Sequence, residues 1–382
     1  MVDQEESNDD GVSTEPGVPS SRFRKLSGVY RFCFLGFTVV GVLLAVHQIL
    51  ALQVLSTVVL LENSYLYLLL AFCLSNIFLI FPFSQKSPRN HVPIYDLVMF
   101  GLCLFISVYF AVTGLQSLEE GWEFLSPTFP VVLAFFLWGL IMEAARRTGG
   151  PAIAVIFGLF SLYPIFADAS FMPALFSGLP QDIVSTARYH LMSEESVLGI
   201  PMRVFGTLII GFILFGVALQ TTGGGRFFIN LAFALLGGVR GGPAKVAIFA
   251  SGLFGSLSGS VVTNVLTTGA MTIPAMKRTG YPARYAGGIE ACASTGGVLM
   301  PPVMGATAFV MASFLEVPYV AVATAAVVPS FLYFFGLFVQ IDSYAARNGV
   351  KGLPPAELPS LRKTISEGWF YVFGFLLLVY LL

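Results

Sequence analysis

Charged residues are scarce in this chain. Lys, Arg, Asp and Glu together make up 11% of its 382 residues, whereas hydrophobic residues make up 56% and the mean hydropathy is +0.82. Soluble domains carry roughly 25% charged residues, so the chain has too little polar surface to cover a water-facing globule of its size. The net charge of −1 provides no basic surface for a polyanion, and no nucleic-acid partner is expected. The composition predicts a protein embedded in a lipid bilayer.

Groups that carry chemistry are also few and scattered. The four cysteines each lie within an apolar run and form no Cys-x-x-Cys pair, so we interpret them as small buried hydrophobes. The three histidines are far apart, no paired carboxylates stand out, and the phosphate-binding Gly-x4-Gly-Lys-Ser/Thr pattern is absent. We therefore predict no catalytic residue, no metal cluster and no cofactor, and a membrane enzyme acting on lipids is the less favoured alternative. The residues concerned are Cys33, Cys73, Cys103, Cys292, His47, His91 and His190.

Long apolar runs predict the fold class. A helix needs about 20 mostly apolar residues to cross a bilayer. The runs that approach this length lie at about 32–53, 65–83, 94–115, 127–145, 151–168, 201–220, 284–314, 318–341 and 367–382. We predict an all-α integral membrane protein with about nine transmembrane helices, together with a re-entrant helical hairpin and a cytoplasmic interfacial helix.

Basic residues predict the orientation. The polar segment 1–30 is expected to be a disordered cytoplasmic tail, because its first part has few apolar residues and basic residues abut the first apolar run. The loops after the second and fourth runs carry Lys and Arg, whereas the loops after the first and third carry only acidic charge. Basic loops stay in the cytoplasm. The basic residues are Arg22, Arg24, Lys25, Arg31, Lys86, Arg89, Arg146 and Arg147.

Two segments do not fit the pattern of spans. Segment 169–199 is polar and falls on the outer side, where it is either a solvated loop with a short helix or a docking surface for an external partner. Segment 226–238 is apolar but only about 13 residues long, too short to cross a hydrocarbon core roughly 30 Å thick. Because Arg226 and Arg240 flank it, we predict an interfacial helix along the cytoplasmic surface.

Segment 246–276 predicts a re-entrant hairpin. Arg240 and Lys245 precede it, and Lys277 and Arg278 follow it, so both of its ends are expected in the cytoplasm. About 31 residues must therefore enter the membrane and return, which leaves arms of about 15 residues, or roughly 23 Å of helix each. Such arms are too short to cross and return, and the tip is predicted at 258–264, within the membrane.

The predicted tip gathers hydroxyls, an amide and glycines where lipid-facing residues would be apolar. At such a break the carbonyl end of one half-helix favours a cation, and the amide end of the next favours an anion. The alternative is that these small polar residues serve only to pack helices. The candidate binding residues are Ser256, Ser258, Gly259, Ser260, Thr263 and Asn264, with Na⁺ as the candidate ion at the tip.

A second interrupted element is predicted at 284–314. Two prolines follow two glycines within this span, and prolines interrupt a helix by removing hydrogen bonds. Freed carbonyls there would coordinate an ion, whereas the alternative is a simple kink. Glu290 lies in the same span, and its intramembrane carboxylate either couples ion movement or makes structural hydrogen bonds. The candidate residues of the unwound stretch are Ser294, Thr295, Gly296, Pro301 and Pro302.

Four sequence segments resemble a known family. They are GGVRGGPAKV (237–246), GLFGSLSGSVVTN (252–264), IPAMKRTGYP (273–282) and STGGVLMPPVMGATAF (294–309). They resemble the fused permeases of tripartite ATP-independent periplasmic (TRAP) transporters, and most of all the TAXI-associated type with a four-helix part fused to a large part. The resemblance is specific over about 200–345 and only topological over 30–145.

The resemblance implies a domain organisation and a function. Residues 31–147 would form the four-helix small-subunit-like domain, and 148–382 the first part of the large permease domain, with its hairpin at 246–276 and its discontinuous helix at 284–314. Such permeases of the inner membrane receive small organic anions, mostly carboxylates, from an extracytoplasmic solute-binding protein and use a gradient of Na⁺ or H⁺. Their site lies between two hairpins from two inverted repeats.

The resemblance also implies that part of the site is supplied elsewhere. Family members are considerably longer, and their second repeat carries the second hairpin. The expectation from the sequence is therefore a truncated permease. The alternative function is a non-transporting half-permease or scaffold that needs a second chain carrying the other repeat.

Overall fold

The computed structural model describes residues 23–50, 60–84, 86–170 and 172–381, and within these ranges the regular structure is helical, without strands. Its α-helices are α1 (Gly28–Ile49), α2 (Glu62–Ile80), α3 (Ile94–Val112), α4 (Gly114–Glu119), α5 (Thr128–Gly149), α6 (Pro151–Leu162), α7 (Ile183–Met192), α8 (Ile200–Val204), α9 (Ile210–Thr221), α10 (Gly224–Leu236), α11 (Gly242–Ser258), α12 (Val261–Arg278), α13 (Ala283–Gly297), α14 (Ala306–Phe314), α15 (Tyr319–Arg347) and α16 (Leu361–Leu381). The predicted all-α class is confirmed.

Among the described residues, six helical segments are long and apolar enough to cross a membrane: α1, α2, α3, α5, α15 and the continuous segment Ile200–Thr221 formed by α8, a π-turn and α9. The other three predicted spans correspond to the shorter α6, to the interrupted pair α13–α14, and to α16. The total of nine spans and their orientation therefore stay predictions. Of the predicted tail, residues 1–22 lie outside the described residues, and so do residues 51–53 of the first predicted span.

The described chain forms two compact units, and the first comprises residues up to Gly41 together with Tyr67–His190. Its buried polar core is ionic. Arg24 and Arg147 both form salt bridges with Asp96 in the first turn of α3, and all three side chains are fully buried. Arg24 also fixes the chain ahead of α1, because its backbone N–H donates to the carbonyl of Ile80 (2.9 Å). The prediction of a disordered tail is therefore wrong from Arg24 onward, since a buried charge ties this part to the core.

The interpretation of the cysteines as buried is correct for one of the four. Cys103 is buried, whereas Cys33, Cys73 and Cys292 are exposed on the described chain. All four have free thiols. The reason is that a lipid-facing surface is apolar, so an apolar run in a membrane protein does not by itself indicate burial within the protein.

In the polar segment 169–199, the structure places the short helix α7. Asp182 precedes α7, and its carboxylate accepts the backbone N–H of Val184 (3.1 Å), as expected at a helix N-terminus. Arg188 on α7 donates to Ser126 Oγ (3.1 Å) and to the carbonyl of Phe124 (3.1 Å). A short helix in this segment is confirmed, and its role as a docking surface stays a prediction.

The second unit comprises Val42–Leu66 and Leu191–Leu382. Its core is built from α10 to α13 with α15 and α16, and small residues let these helices approach closely. The predicted interfacial helix is α10, 13 residues long, and its buried face, which includes Phe228 and Ile229, packs in this core. The position of α10 relative to a membrane stays a prediction.

Helices α11 and α12 form the predicted hairpin. The chain reverses at Gly259, whose φ of +59° is a left-handed conformation that glycine adopts without strain. Ser251 lies beside Thr268, and Gly255 lies beside Asn264. Residue numbers that increase along α11 thus pair with residue numbers that decrease along α12, so the two arms are antiparallel. The arms have 17 and 18 residues. The hairpin is confirmed, and its depth in the bilayer stays a prediction.

Candidate functional site

The hairpin tip is a rigid turn. Ser260 caps the N-terminus of α12, because its Oγ accepts the backbone N–H of Thr263 (3.4 Å) and the hydroxyl of Thr263 (3.1 Å). Ser256 near the end of α11 donates to the carbonyl of Leu253 (2.8 Å). The hydroxyls of Ser256, Ser260 and Thr263 therefore already have protein partners that hold the turn in shape.

Ser258 differs from the other hydroxyls of the tip. Its Oγ is buried and has no hydrogen-bond partner among the described residues. A buried hydroxyl without a partner costs about 1–3 kcal/mol, and each such group in a folded protein calls for an explanation. Ser258 is therefore the tip side chain with spare capacity to bind a ligand.

Helices α13 and α14 confirm the predicted break in the second element. Helix α13 ends at Gly297 and α14 begins at Ala306, so residues 298–305 are not α-helical. Pro301 and Pro302 lie in this stretch, which we call the break. Five of its carbonyls are already occupied. That of Leu299 accepts Ser330 Oγ (2.6 Å), those of Pro302 and Val303 accept Tyr319 Oη, and those of Val298 and Gly305 accept backbone N–H groups. Fewer carbonyls are free for an ion than the proline pattern alone suggests.

The break packs directly against the hairpin tip. The backbone N–H of Val303 donates to the carbonyl of Ser256 (3.0 Å). A Cβ built on Gly259 would lie 2.5 Å from the carbonyl oxygen of Met304, so only glycine fits at this turn. The two interrupted elements predicted from the sequence therefore meet at one place.

The carboxyl ends of two helices converge at this place. Helices α11 and α13 run in the same direction, since Ser251 contacts Glu290 and Gly255 contacts Gly297 farther along both helices. A Cβ on Gly255 would lie 2.5 Å from the Cα of Gly297, so the two backbones touch. The last carbonyls of a helix carry partial negative charge, and two such ends side by side favour a cation.

Glu290 lies deeper between α11, α12 and α13. It is fully buried, and its Oε1 lies 3.3 Å from Ser251 Oγ on α11 and 3.3 Å from Ser294 Oγ on its own helix. The hydroxyls of Thr268 and Thr272 on α12 also hydrogen-bond its two carboxyl oxygens. We call these four hydroxyls the hydroxyl cage. Among the described residues, no basic side chain forms a salt bridge with Glu290.

Asn264 ties the cage to the tip. Its side chain is fully buried, and its Nδ2 donates to the carbonyl of Ser251 (2.9 Å) across the hairpin. Thr295 does not join the site, because its side chain is exposed and donates to the carbonyl of Ala291 (2.8 Å) in its own helix. Gly296 packs against the ring of Tyr333 on α15. Of the predicted stretch, Ser294 is the hydroxyl that faces the hairpin.

Sequence reasoning missed Ser251, Thr268 and Thr272. The signal that would have found the two threonines is the four-residue spacing of Asn264, Thr268 and Thr272, which places three polar side chains on one face of a helix. The partner face of α13 shows the same spacing between Glu290 and Ser294. Two polar faces that are buried against each other must satisfy each other's hydrogen bonds.

A cavity of about 530 Å³ lies next to the break in this unit. Its lining includes Gly252, Leu253, Pro301, Pro302 and Phe334, and none of its lining residues is charged. Such a lining suits apolar groups.

The sequence of the matched region identifies the family. The family model of the tripartite ATP-independent periplasmic transporter, DctM component, matches residues 136–382, which include the complete hairpin, the break and the hydroxyl cage. The chain belongs to the DctM family of TRAP transporters. With its apolar helices, this membership makes it a multi-pass protein of the inner membrane.

Named TRAP transporter permeases are similar to this chain. The chain is 35% identical over 199 residues to the C4-dicarboxylate TRAP transporter large permease protein DctM of Pseudomonas aeruginosa, covering 50% of this chain and 45% of that protein. It is 31% identical over 180 residues to the isethionate TRAP transporter permease protein DctMQ of Oleidesulfovibrio alaskensis, with 47% and 24% covered.

A longer but weaker match extends toward the N-terminus. The sialic acid TRAP transporter permease protein SiaT of Haemophilus influenzae is 23% identical in an alignment of 327 positions that covers 75% of this chain and 53% of that protein. The chain spans about half the length of the P. aeruginosa and H. influenzae relatives and about a quarter of the O. alaskensis relative. The resemblance seen in the four sequence segments is confirmed at the level of the family.

Proposed function

We propose that this TRAP permease is the membrane part of a secondary transporter that takes small organic anions, chiefly carboxylates, from an extracytoplasmic solute-binding protein. An ion gradient drives the uptake, and Na⁺ binds where the hairpin tip meets the break. The observation that carries the proposal is this meeting of two interrupted helices. Half-helices broken inside a membrane typically form the binding sites of secondary transporters.

The charge distribution at the tip supports a cation there. The carboxyl ends of α11 and α13 lie side by side, and the unpartnered Oγ of Ser258 belongs to the last residue of α11. Hard cations prefer oxygen ligands, and a hydroxyl oxygen without a partner among the described residues is free to bind one. Helix α12 begins at the same turn, and the backbone N–H groups of its first turn support an anion nearby.

The substrate class rests on chemistry that the relatives share. The named relatives are described as transporters of C4-dicarboxylate, isethionate and sialic acid, all of which are acids that ionise at neutral pH. We extend this shared property, an anionic organic solute, to the present chain. Because those relatives are transporters, the alternative of a non-transporting scaffold is not favoured.

Uptake by proteoliposomes that contain the complete transporter, supplied with its binding protein, tests the proposal. We expect uptake of a carboxylate to depend on an inward Na⁺ gradient, and Ser258→Ala to raise the half-saturating Na⁺ concentration about tenfold, the loss of about 1.4 kcal/mol of binding. Thr295→Ala is the matched control, since its hydroxyl bonds its own helix.

Two outcomes would count against the proposal. Uptake that depends on a proton gradient and not on Na⁺ would show that the coupling ion is H⁺. Unchanged Na⁺ dependence in Ser258→Ala, Ser260→Ala and Asn264→Ala would remove the ion site from the tip.

A further inference from the structure

The buried carboxyl of Glu290 is not used by the proposed ion site. It lies inside the packing of α11, α12 and α13, fully shielded from solvent, and its partners are the four neutral hydroxyls of the hydroxyl cage. An isolated ionised carboxylate is costly to bury, and such a group becomes neutral unless a cation compensates it. The state of this carboxyl therefore depends on whether a positive charge is near.

The basic side chains of the helices packed around Glu290 point elsewhere. On α11, Lys245 pairs with Asp342 of α15 (2.6 Å). At the end of α12, Lys277 is exposed and Arg278 lies 3.8 Å from Glu357. On α13, Arg284 is exposed in the first turn. Within the described chain, none of these groups forms a salt bridge with Glu290.

The other titratable groups near these helices also have different neighbours. Tyr285 on α13 stacks on Tyr344 of α15 with ring centres 4.0 Å apart, and Tyr281 lies in the same stack. Tyr333 of α15 donates to the carbonyl of Cys292 (2.9 Å) on the exposed side of α13. In the part of the chain that the structure describes, no hydrogen bond joins any of them to Glu290.

If Glu290 carries a proton, every hydroxyl proton of the cage and the carboxyl proton can each donate one hydrogen bond. The Oε2–H donates to Thr272 Oγ1, and Thr272 in turn donates to the carbonyl of Thr268 (3.0 Å). Ser251 donates to Thr268 Oγ1 (3.2 Å), and Thr268 donates to Oε1 of Glu290. Ser294 donates to the second lone pair of Oε1 (3.3 Å). Each hydroxyl proton of the cage then has an acceptor, and no net charge is buried.

In the ionised form, all four hydroxyls would turn their protons toward the carboxylate. That form therefore also satisfies its hydrogen bonds, and hydrogen bonding alone does not decide whether Glu290 is neutral or ionised. The buried charge decides in favour of the neutral acid, because a buried charge without a partner is strongly destabilising. A bound cation would also remove the penalty, and it is the competing explanation that the experiment must exclude.

We propose that Glu290 is a neutral carboxylic acid that stores a proton within the membrane protein and holds both arms of the hairpin on α13. Its Oε1 and Oε2 join α12 directly, Ser251 joins α11 to this network through Thr268, and the main chain of Glu290 belongs to the helix that leads into the break. Gly269 makes this approach possible, since a Cβ there would lie 3.0 Å from Cγ of Glu290. Glu290 is thus a positioning residue for the tip.

The protonation state and the packing role follow from the geometry alone. Only the role of the positioned tip in ion binding rests on the proposed function. The experiment therefore uses the purified full chain in lipid nanodiscs and does not measure uptake, so a failure of the transport proposal leaves its outcome unaffected.

Infrared spectroscopy tests the proton directly. A protonated carboxyl has a C=O stretching band separate from that of a carboxylate. We expect this band at neutral pH in the wild type, its loss in Glu290→Gln, and its retention in the control Glu367→Gln, whose carboxylate is 67% exposed. If no wild-type band disappears in Glu290→Gln, the neutral acid is disproved, including the case in which Glu290 is ionised and holds a cation.

Hydrogen–deuterium exchange tests the positioning role. Glutamine has the shape of a neutral glutamic acid, so Glu290→Gln should leave exchange in peptides of α12 close to that of the wild type. Glu290→Ala empties the cage, and exchange in α12 should become at least about tenfold faster through local opening. Faster exchange in Glu290→Gln would show that the cage needs a charge. Unchanged exchange in a folded Glu290→Ala protein would remove the positioning role.

A variant of a cage hydroxyl provides a second test of the positioning role if Glu290→Ala does not fold. Thr272→Val removes the hydroxyl at Oε2 at nearly constant volume, and its matched control is Thr267→Val, whose hydroxyl donates to the carbonyl of Thr263 (2.8 Å) in its own helix. We expect faster exchange in α12 for Thr272→Val only. Equal exchange in the two variants would contradict the role of the cage.

Discussion

Two buried polar clusters, one in each unit, are built in opposite ways. In the first unit, Arg24, Asp96 and Arg147 bring full charges of both signs together with no side-chain exposure. Between the hairpin and α13 in the second unit, the buried polar groups are hydroxyls, the amide of Asn264 and the carboxyl of Glu290. An ion pair that is taken apart inside a protein leaves an uncompensated charge, whereas a neutral hydroxyl that loses its partner costs less.

The comparison teaches what each kind of core is suited to. The ionic core fixes one arrangement of α3, α5 and the chain before α1, because each of its charges depends on the others. The hydroxyl cage and the glycine contacts hold their helices by many weak interactions. Each of these interactions can be lost at a small cost, so such an interface accommodates a site where a ligand enters and leaves.

The largest expected effect comes from breaking the ionic core. Asp96→Ala leaves the buried guanidinium group of Arg24 without a carboxylate partner and Arg147 with Glu143 alone, and we expect it to destabilise the protein by about 3–5 kcal/mol. The measurement is the midpoint of thermal unfolding in detergent, compared with Glu119→Ala at an exposed position of α4. Equal midpoints for both variants would remove the contrast between the two units.

A smaller effect is expected where the backbones of α11 and α13 touch. A Cβ on Gly297 would lie 2.6 Å from the carbonyl oxygen of Ser251 and 2.9 Å from the Cα of Gly255, so Gly297→Ala should cost about 1–3 kcal/mol through overpacking. Gly287→Ala is the control on the same helix, because nothing lies within 4 Å of its Cβ. The thermal midpoint should fall for the first variant and hold or rise for the second. The opposite ranking would show that the two backbones do not meet.

The smallest effect is expected in the hydroxyl cage. Thr272→Val removes the neutral hydrogen bond with Glu290 and that with the carbonyl of Thr268 in the same helix. We expect a loss of about 1 kcal/mol, again from the thermal midpoint. Thr267→Val should change the midpoint less, because its hydroxyl bonds only the carbonyl of Thr263 in its own helix. A loss as large as that of Asp96→Ala would mean that the cage is not made of weak, separable contacts.

Much of the candidate site could be predicted before the structure. A stretch rich in glycine and serine between basic residues predicted the hairpin, and paired glycines followed by paired prolines predicted the break. These signals are local, since they depend on backbone conformations that glycine allows and proline forbids. The same local signals do not reveal which hydroxyls face a partner helix.

The adjacent residues Ser294 and Thr295 show where prediction from composition ends. Both hydroxyls were predicted at the site, but Ser294 faces Glu290 while Thr295 is exposed. In an α-helix, neighbouring side chains point more than a quarter of a turn apart, so only one of the two faces a given partner. The packing of α13 on the hairpin decides which face is buried, and neither residue type does so alone.

The sequence by itself determined the all-helical membrane class, the places where two elements are interrupted, and the family. These properties follow from apolar length, charge distribution, and the backbone preferences of glycine and proline. Only the tertiary structure decided that the two interruptions touch, that Ser258 is left without a partner among the described residues, and that Glu290 lies in a cage of four hydroxyls. The physical reason is that these contacts join residues distant along the chain, and their geometry depends on how helices are rotated and packed against each other.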